Sequence, residues 1–313
     1  MRELLNGRLG GRAAILAATL IWGVSFVVLK NTLDSIEPLW SMGIRFVGAA
    51  VILGFVSIMQ LKKINRRYLA VGTALGITMF LAYIFQTYGL KYTTPGKNAF
   101  LTSAYCVMVP FMGLIVYKIK IDRWNILAAF ICVIGIGLVS LEGDVSSLNL
   151  GDVLTLICSV FFTAQIIILD RYLGDMSLPL VAGIQFAVVG VLSFIAAPIF
   201  EPAPVITLST LPELLYLCVM CSVAAFLFQC YGQKRTPAAE SALLLTLEAV
   251  FGVIVSVIFY HERLSLQLFC GFLLIFSAVV ISETKLRFLR KARPKTLAPA
   301  PGNPGIKKKV SNA

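Results

Sequence analysis

The sequence predicts an all-α integral membrane protein whose ten transmembrane helices form two inverted five-helix repeats. Three observations carry that expectation. Of the 313 residues, 58% are apolar and 13% charged, against roughly 45–50% and about 25% in soluble domains. The apolar residues gather into ten runs, each near the ~20 residues that a helix needs to cross a bilayer. Two short polar motifs of the first half recur in the second. A mean hydropathy of +0.89 leaves too little polar surface to coat a water-soluble globule. Composition therefore excludes a cytosolic enzyme, a secreted module and a disordered chain.

The apolar runs are 13–33, 39–61, 68–90, 97–117, 124–141, 152–169, 178–199, 212–232, 238–259 and 265–282, separated by charged breaks. The first carries Trp22 and Ser25; it is too long for a signal peptide, lacks a small-residue cleavage site, and reads as a retained span. The second holds Arg45 about two turns below its outer end. That arginine reads as structural, either paired with a carboxylate or snorkelling outward. The third places Met79, Tyr83 and Gln86 at i, i+4 and i+7, on one helical face. The fourth opens with Thr94 as N-cap and Pro95 as first residue, then sets Asn98, Thr102 and Tyr105 on one face.

The fifth run offers Gly135 and Gly137, and the tenth Gly271 and Ala278, small residues suited to close packing within the bundle or in a homodimer. The sixth contributes Gln165. The eighth has Ser222, Phe226 and Gln229 in a stripe like that of the third. In the ninth, Thr236 and Pro237 read as N-cap and first residue, and Glu240 sits in the favourable first turn rather than in a site. Ser241, Leu245 and Glu248 form its polar stripe. Glu248 lies eleven residues into the span, where an unpaired carboxylate is costly. Either a cation sits beside it or the group holds a proton.

Basic residues set the orientation. With the N-terminus cytoplasmic, that side receives 22 Lys and Arg, and the opposite side keeps only Lys30, Lys91, Lys97 and Arg263. The expected organisation is a cytoplasmic segment 1–12, a first repeat 13–141, an outer linker 142–151, a second repeat 152–283 and a basic, disordered tail 284–313 able to lean on anionic lipid. Both termini then face the cytoplasm of a multi-pass protein in the cell (inner) membrane. The net charge of +12 comes from these clusters, with no basic stripe interleaved with stacking aromatics, so no nucleic-acid partner is expected. The seven cysteines all fall in apolar runs; Cys218 and Cys221 lack a second pair or nearby His and read as buried thiols. No cofactor and no metal are called for.

Gly43-Ile44-Arg45-Phe46 recurs as Gly183-Ile184-Gln185-Phe186, 140 residues later. Gln86-Thr87-Tyr88-Gly89-Leu90-Lys91-Tyr92-Thr93 recurs as Gln229-Cys230-Tyr231-Gly232-Gln233-Lys234-Arg235-Thr236, with five of eight positions identical and an offset of 143. Five spans separate equivalent helices, so equivalent helices cross in opposite directions. Inverted repeats of this kind underlie alternating access in many secondary transporters.

With these residues in place, the chain resembles the bacterial EamA-type transporters of the drug/metabolite transporter superfamily over about residues 13–283. Trp22-Gly23-Val24-Ser25-Phe26 is similar to the family's opening element, and Pro38 with Arg45-Phe46 to its second-helix pattern. Tyr92-Thr93-Thr94-Pro95 and Arg235-Thr236-Pro237-Ala238 resemble its joints before the fourth and ninth helices. Leu247-Glu248-Ala249-Val250-Phe251 and His261-Glu262-Arg263-Leu264 are similar to its second-half signature. Ala249 stands where the family often has Pro, and Lys118-Ile119-Lys120 where it often has Gly-Glu-Arg.

Intramembrane polar residues are site candidates by default. The expected substrate-binding set is Trp22, Ser25, Tyr83, Gln86, Asn98, Thr102, Tyr105, Gln165, Phe226, Gln229 and Glu248, with Glu248 also the candidate for proton coupling. The resemblance implies that these helices surround a central cavity, and that the protein exports or facilitates a small organic metabolite such as an amino acid. No Walker sequence accompanies it. An intramembrane enzyme is disfavoured, because the only His is His261 in a loop and no span carries HExxH or an Asp pair. A non-transporting scaffold remains an alternative, as does an exchanger of phosphorylated metabolites or nucleotide sugars. The latter should line its inner faces with Lys or Arg, of which the chain offers little beyond Arg45 and Lys97.

Overall fold

The computed structural model describes residues 2–118, 120–141, 149–236 and 238–285, and those residues form helices joined by short turns, with no strand among them. The spans are α1 (Gly7–Thr32), α2 (Pro38–Val56), α3 (Arg66–Tyr92), α4 (Pro95–Tyr117), α5 (Arg123–Ser140), α6 (Leu150–Tyr172), α7 (Leu178–Phe200), α8 (Leu211–Gln233), α9 (238–259) and α10 (Leu266–Thr284). Nine of these are individually long and apolar enough to cross a membrane; the tenth, α9, is divided into Ala238–Leu245 and Leu247–Phe259. The expected tail beyond Lys285, most of the outer linker and Pro237 lie outside the described residues.

Boundaries differ from expectation in two places. Helix begins at Arg2, so the segment before the first span continues α1 instead of preceding it as a separate element. The second span stops at Val56, not residue 61: Ser57 leaves helical geometry, and Ile58–Lys63 forms an exposed 3₁₀ segment. Lys62 and Lys63 end that segment, and their charges favour water over hydrocarbon.

The helix partners obey one pattern. α2 packs on α7, α4 on α9 and α5 on α10, each helix meeting its own equivalent in the other half. α3 packs on α6 just as α8 packs on α1, and α3 on α7 just as α2 on α8. Glycines make the closest of these approaches possible. A side chain on Gly89 would stand 2.6 Å from Thr155 Oγ1 and 2.9 Å from the Gly151 carbonyl, and one on Gly232 would stand 2.7 Å from the Gly11 carbonyl. These are equivalent contacts, α3–α6 and α8–α1. Gly135 and Gly271 face each other in the same way between α5 and α10. Gly135, Gly271 and the buried Ala278 are therefore occupied within the chain, whereas Gly137 has nothing within 4 Å.

Two helices are interrupted at corresponding positions. α4 breaks at Ala104, between Pro95–Ser103 and Tyr105–Tyr117, and α9 breaks at Thr246. The break in α9 occurs without the proline that the resembled family often carries there. Backbone groups freed in hydrocarbon must find other partners, and in α4 they do. Ser159 Oγ on α6 donates to the carbonyls of Leu101 at 2.9 Å or Thr102 at 3.1 Å, and Thr163 Oγ1 lies 3.4 Å from the Tyr105 carbonyl. Pro110 removes the N–H that would have served Cys106, and Ser282 Oγ donates to that carbonyl instead, at 3.3 Å. A third irregularity is confined to one half. Tyr216–Ala224 in α8 is wound as a π-helix; its equivalent stretch in α3 is α-helical.

Candidate substrate cavity

A cavity of about 460 Å³ lies between the halves and takes its lining from nine of the ten helices, α5 excepted. Small-molecule sites commonly span ~300–1,000 Å³. Of the expected site residues, Trp22, Ser25, Tyr83, Gln86 and Thr102 line it, and so do Tyr105, Gln165, Phe226, Gln229 and Glu248. Asn98 does not. Its side chain is fully buried between α3 and α6, where Nδ2 donates to the Gln86 carbonyl at 3.2 Å and to Thr155 Oγ1 at 2.8 Å. The stripe reading failed there because α6 covers that edge of α4.

The aromatic walls repeat across the halves. Phe46 meets Tyr83 edge-on at 4.9 Å between ring centroids, and the equivalent pair Phe186 and Phe226 does so at 5.9 Å. Phe46 and Phe186 then meet each other at 5.4 Å. Polar tips are less evenly spent. Gln86 Nε2 donates to Thr102 Oγ1 at 3.2 Å and so ties α3 to α4. The Trp22 indole N–H donates to the Cys221 carbonyl at 2.9 Å, a group made available by the π-helical turn. Ser25 Oγ is returned to the Trp22 carbonyl at 2.7 Å.

Arg45 departs from its expected role. It neither snorkels nor pairs with a carboxylate. It is 4% exposed, lines the cavity, and donates from Nε to Ser222 Oγ at 2.7 Å and from Nη2 to Cys221 Sγ at 2.9 Å. The faces of Phe46 and Tyr83 lie 4.8 and 5.2 Å from its guanidinium carbon. Among the described residues, no acidic oxygen comes within 4.0 Å of it. Its side chain turns to α8, where Ser222 and Cys221 hold it, and not toward the end of α2. An arginine at mid-membrane costs about 2.5–3.5 kcal/mol on insertion scales. Glu248 lines the same cavity.

The cavity is lopsided along the bundle. Its lining includes Leu169, Leu178, Gln233 and Glu283, which sit at or near helix ends on the side where α1 begins and α10 finishes. The opposite end is tied by polar contacts. Glu201 accepts from the Leu39 N–H at 2.9 Å, the Trp40 N–H at 3.2 Å and the Tyr88 hydroxyl at 2.6 Å, so it caps α2. Glu262 accepts from the Gly96 N–H at 3.0 Å and from the hydroxyls of Thr94 and Ser256, so it caps α4. Lys30 Nζ donates to the carbonyls of Leu90, Lys91 and Thr93, at 2.6, 3.0 and 2.8 Å, at the end of α3. Sequence reading missed Glu201 and the cavity roles of Arg45 and Gln185. The Gly-Ile-x-Phe repeat had already set the last two at equivalent positions.

A ten-helix apolar bundle folded around a mid-span cavity with a polar and aromatic lining is the architecture of a membrane transporter. The chain belongs to the EamA-like transporter family, whose pattern matches it twice, over residues 9–141 and 149–284. It is similar to an uncharacterized transporter of Archaeoglobus fulgidus, with 30% identity over 277 residues, covering 88% of this chain and 86% of that one. It is also similar to the uncharacterized transporter YyaM of Bacillus subtilis, at 26% identity over 77% of this chain and 83% of the other. A solved crystal structure shares the fold, with a TM-score of 0.65 and 15% identity, over 91% of this chain and 100% of that one.

Proposed function

We propose that this membrane transporter moves a small organic metabolite, an amino acid or a related compound, across the cell membrane by alternating access, as an exporter or facilitator. Residues 13–141 and 152–283 are the two halves that rock about the cavity, and both termini are cytoplasmic. One observation carries the reading: a single compartment lined by both halves reaches one end of the bundle while polar ties close the other. That is the form of one end-state of an alternating-access cycle. With both termini in the cytoplasm, the state is inward-facing. The lining holds one arginine and is otherwise mostly neutral or aromatic, which favours a small metabolite over a multiply charged phosphorylated one.

A flux screen in proteoliposomes tests this. Purified protein should accelerate uptake or exchange of at least one compound among amino acids, amines and small organic acids. Folded protein that moves none of them sinks the transport reading in favour of a membrane scaffold. Selective exchange of sugar phosphates or nucleotide sugars would replace the substrate class.

A further inference from the structure

The two halves build nearly the same cavity wall from different residues. In one half, Arg45 on α2 reaches across to Ser222 on α8. In the other, Gln185 on α7 reaches across to Met79 on α3, its Nε2 against Sδ. The four residues are equivalents at the same offsets, 140 and 143, that relate the repeated motifs. Behind them stand the equivalent aromatic pairs Phe46–Tyr83 and Phe186–Phe226. A neutral side chain therefore makes the same α2–α8-type link in the second half. The link between helices does not require a positive charge.

The charge at position 45 is thus surplus to the scaffold, and although Glu248 lines the same cavity, no carboxylate oxygen among the described residues lies within 4.0 Å of the guanidinium. Its polar neighbours, Ser222, Cys221 and the Tyr83 hydroxyl, are all neutral. A guanidinium has five N–H donors in a planar fork suited to a carboxylate. The equivalent nook in the other half offers an amide, a thioether and the ring of Phe226, which has no hydroxyl to match that of Tyr83. One side of the cavity is cationic and donor-rich, and the other is uncharged and poorer in donors.

We infer that Arg45 is the specificity-determining residue of the cavity, and that the substrate is an organic carboxylate whose anionic group docks on Arg45 while its apolar body lies toward Met79, Gln185 and Phe226. The inference rests on the transport reading for the ligand's route, but not for its chemistry. A bound carboxylate supplies the directly contacting partner that Glu248, elsewhere in the lining, does not. Compounds that carry only an amine, or a neutral amide in place of the acid, leave the guanidinium unpaired and bind poorly.

The test is ligand-induced thermal stabilisation of the detergent-purified full chain, with phenylacetate and L-leucine as carboxylates. Phenethylamine and L-leucinamide serve as charge-deleted partners, and sulfate and phosphate as inorganic anions. The carboxylates should stabilise the wild type and their partners should not. Arg45→Gln, which copies Gln185, should fold and weaken carboxylate binding about ten- to a hundredfold. Arg45→Lys should recover part of the loss. Equal binding of acids and their amides by the wild type overturns the inference even if Arg45→Gln does not fold. Unchanged affinity in Arg45→Gln, no binding of either carboxylate, or stabilisation by inorganic anions as strong as by carboxylates overturns it too. Arg45-dependent binding without flux of any probe would remove the transport reading and leave this one standing. Flux of amines without carboxylate binding would do the reverse.

Discussion

At the scale of single residues, the cavity separates side chains spent on structure from those left for a ligand. Trp22, Gln86 and Ser25 line the wall, but the Trp22 indole N–H, the Gln86 amide nitrogen and the Ser25 hydroxyl each donate to a protein partner. Glu248 is the contrasting case: among the described residues no hydrogen bond or ion pair involves its carboxylate, and Arg45 does not come within 4.0 Å. Glu248→Gln keeps the shape and removes the titration. If Glu248 carries the coupling proton, flux driven by a pH gradient should fall at least about tenfold, while exchange of substrate between equilibrated compartments persists. Unchanged pH dependence in proteoliposomes would end the proton-carrier idea. The glutamines divide in the same manner. Gln86→Leu breaks the tie to Thr102 and should lower both stability and transport, whereas Gln229→Leu should lower transport alone. Melting temperatures beside flux rates distinguish the two, and normal transport by both variants would reduce them to bundle glue. The sequence pointed to ten of these positions through one rule, that polar groups in hydrocarbon need a reason. The rule could not tell Asn98, buried under α6, from Thr102, two residues before the break in α4, because periodicity gives a face and not what covers it.

At the scale of elements, the spans were legible because hydrocarbon thickness fixes the length of an apolar run, and charged breaks such as Lys62-Lys63 mark its end. The breaks within α4 and α9 were not, because no proline or glycine stands at Ala104 or Thr246. The break in α4 is met instead by hydroxyls supplied from α6, a tertiary fact absent from the local sequence. The π-helical turn of α8 is likewise unmarked by proline or glycine, and its Cys221 meets both Trp22 and Arg45. Close helix approach is more local, and it yields a sharp contrast. Gly89→Ala puts a methyl group 2.6 Å from Thr155 Oγ1 and 2.9 Å from the Gly151 carbonyl, backbone that cannot step aside. Overpacking of this kind costs about 1–3 kcal/mol. Gly137→Ala meets nothing within 4 Å and removes a flexible residue from α5. Thermal unfolding in detergent should show Gly89→Ala several degrees below the wild type and Gly137→Ala at or slightly above it. Equal melting temperatures for the two would mean that α3 and α6 do not meet at Gly89.

At the scale of the whole molecule, one pseudo-twofold relation organises helix partners, glycine contacts, interrupted helices and aromatic walls, and function resides in the departures from it. Arg45 against Gln185 is one departure. The tied and open ends are another, since Glu262 caps α4 at one end and Lys118-Ile119-Lys120 places no carboxylate at the corresponding point of the first half. Five helices per half require equivalent loops to lie on opposite sides of the membrane. Tyr92 and Arg235 are such a pair, both exposed, at the ends of α3 and α8. In a cysteine-free background, Tyr92→Cys should react with a membrane-impermeant maleimide added to intact cells. Arg235→Cys should react only after the membrane is opened. The charge distribution predicts which is which, with 22 basic residues on the side of Arg235 and four on the side of Tyr92. Reaction of both from outside, or of neither, would refute the inverted arrangement. Reaction of Arg235→Cys alone would keep the inversion but turn the protein over, and would make the cavity seen here open to the exterior.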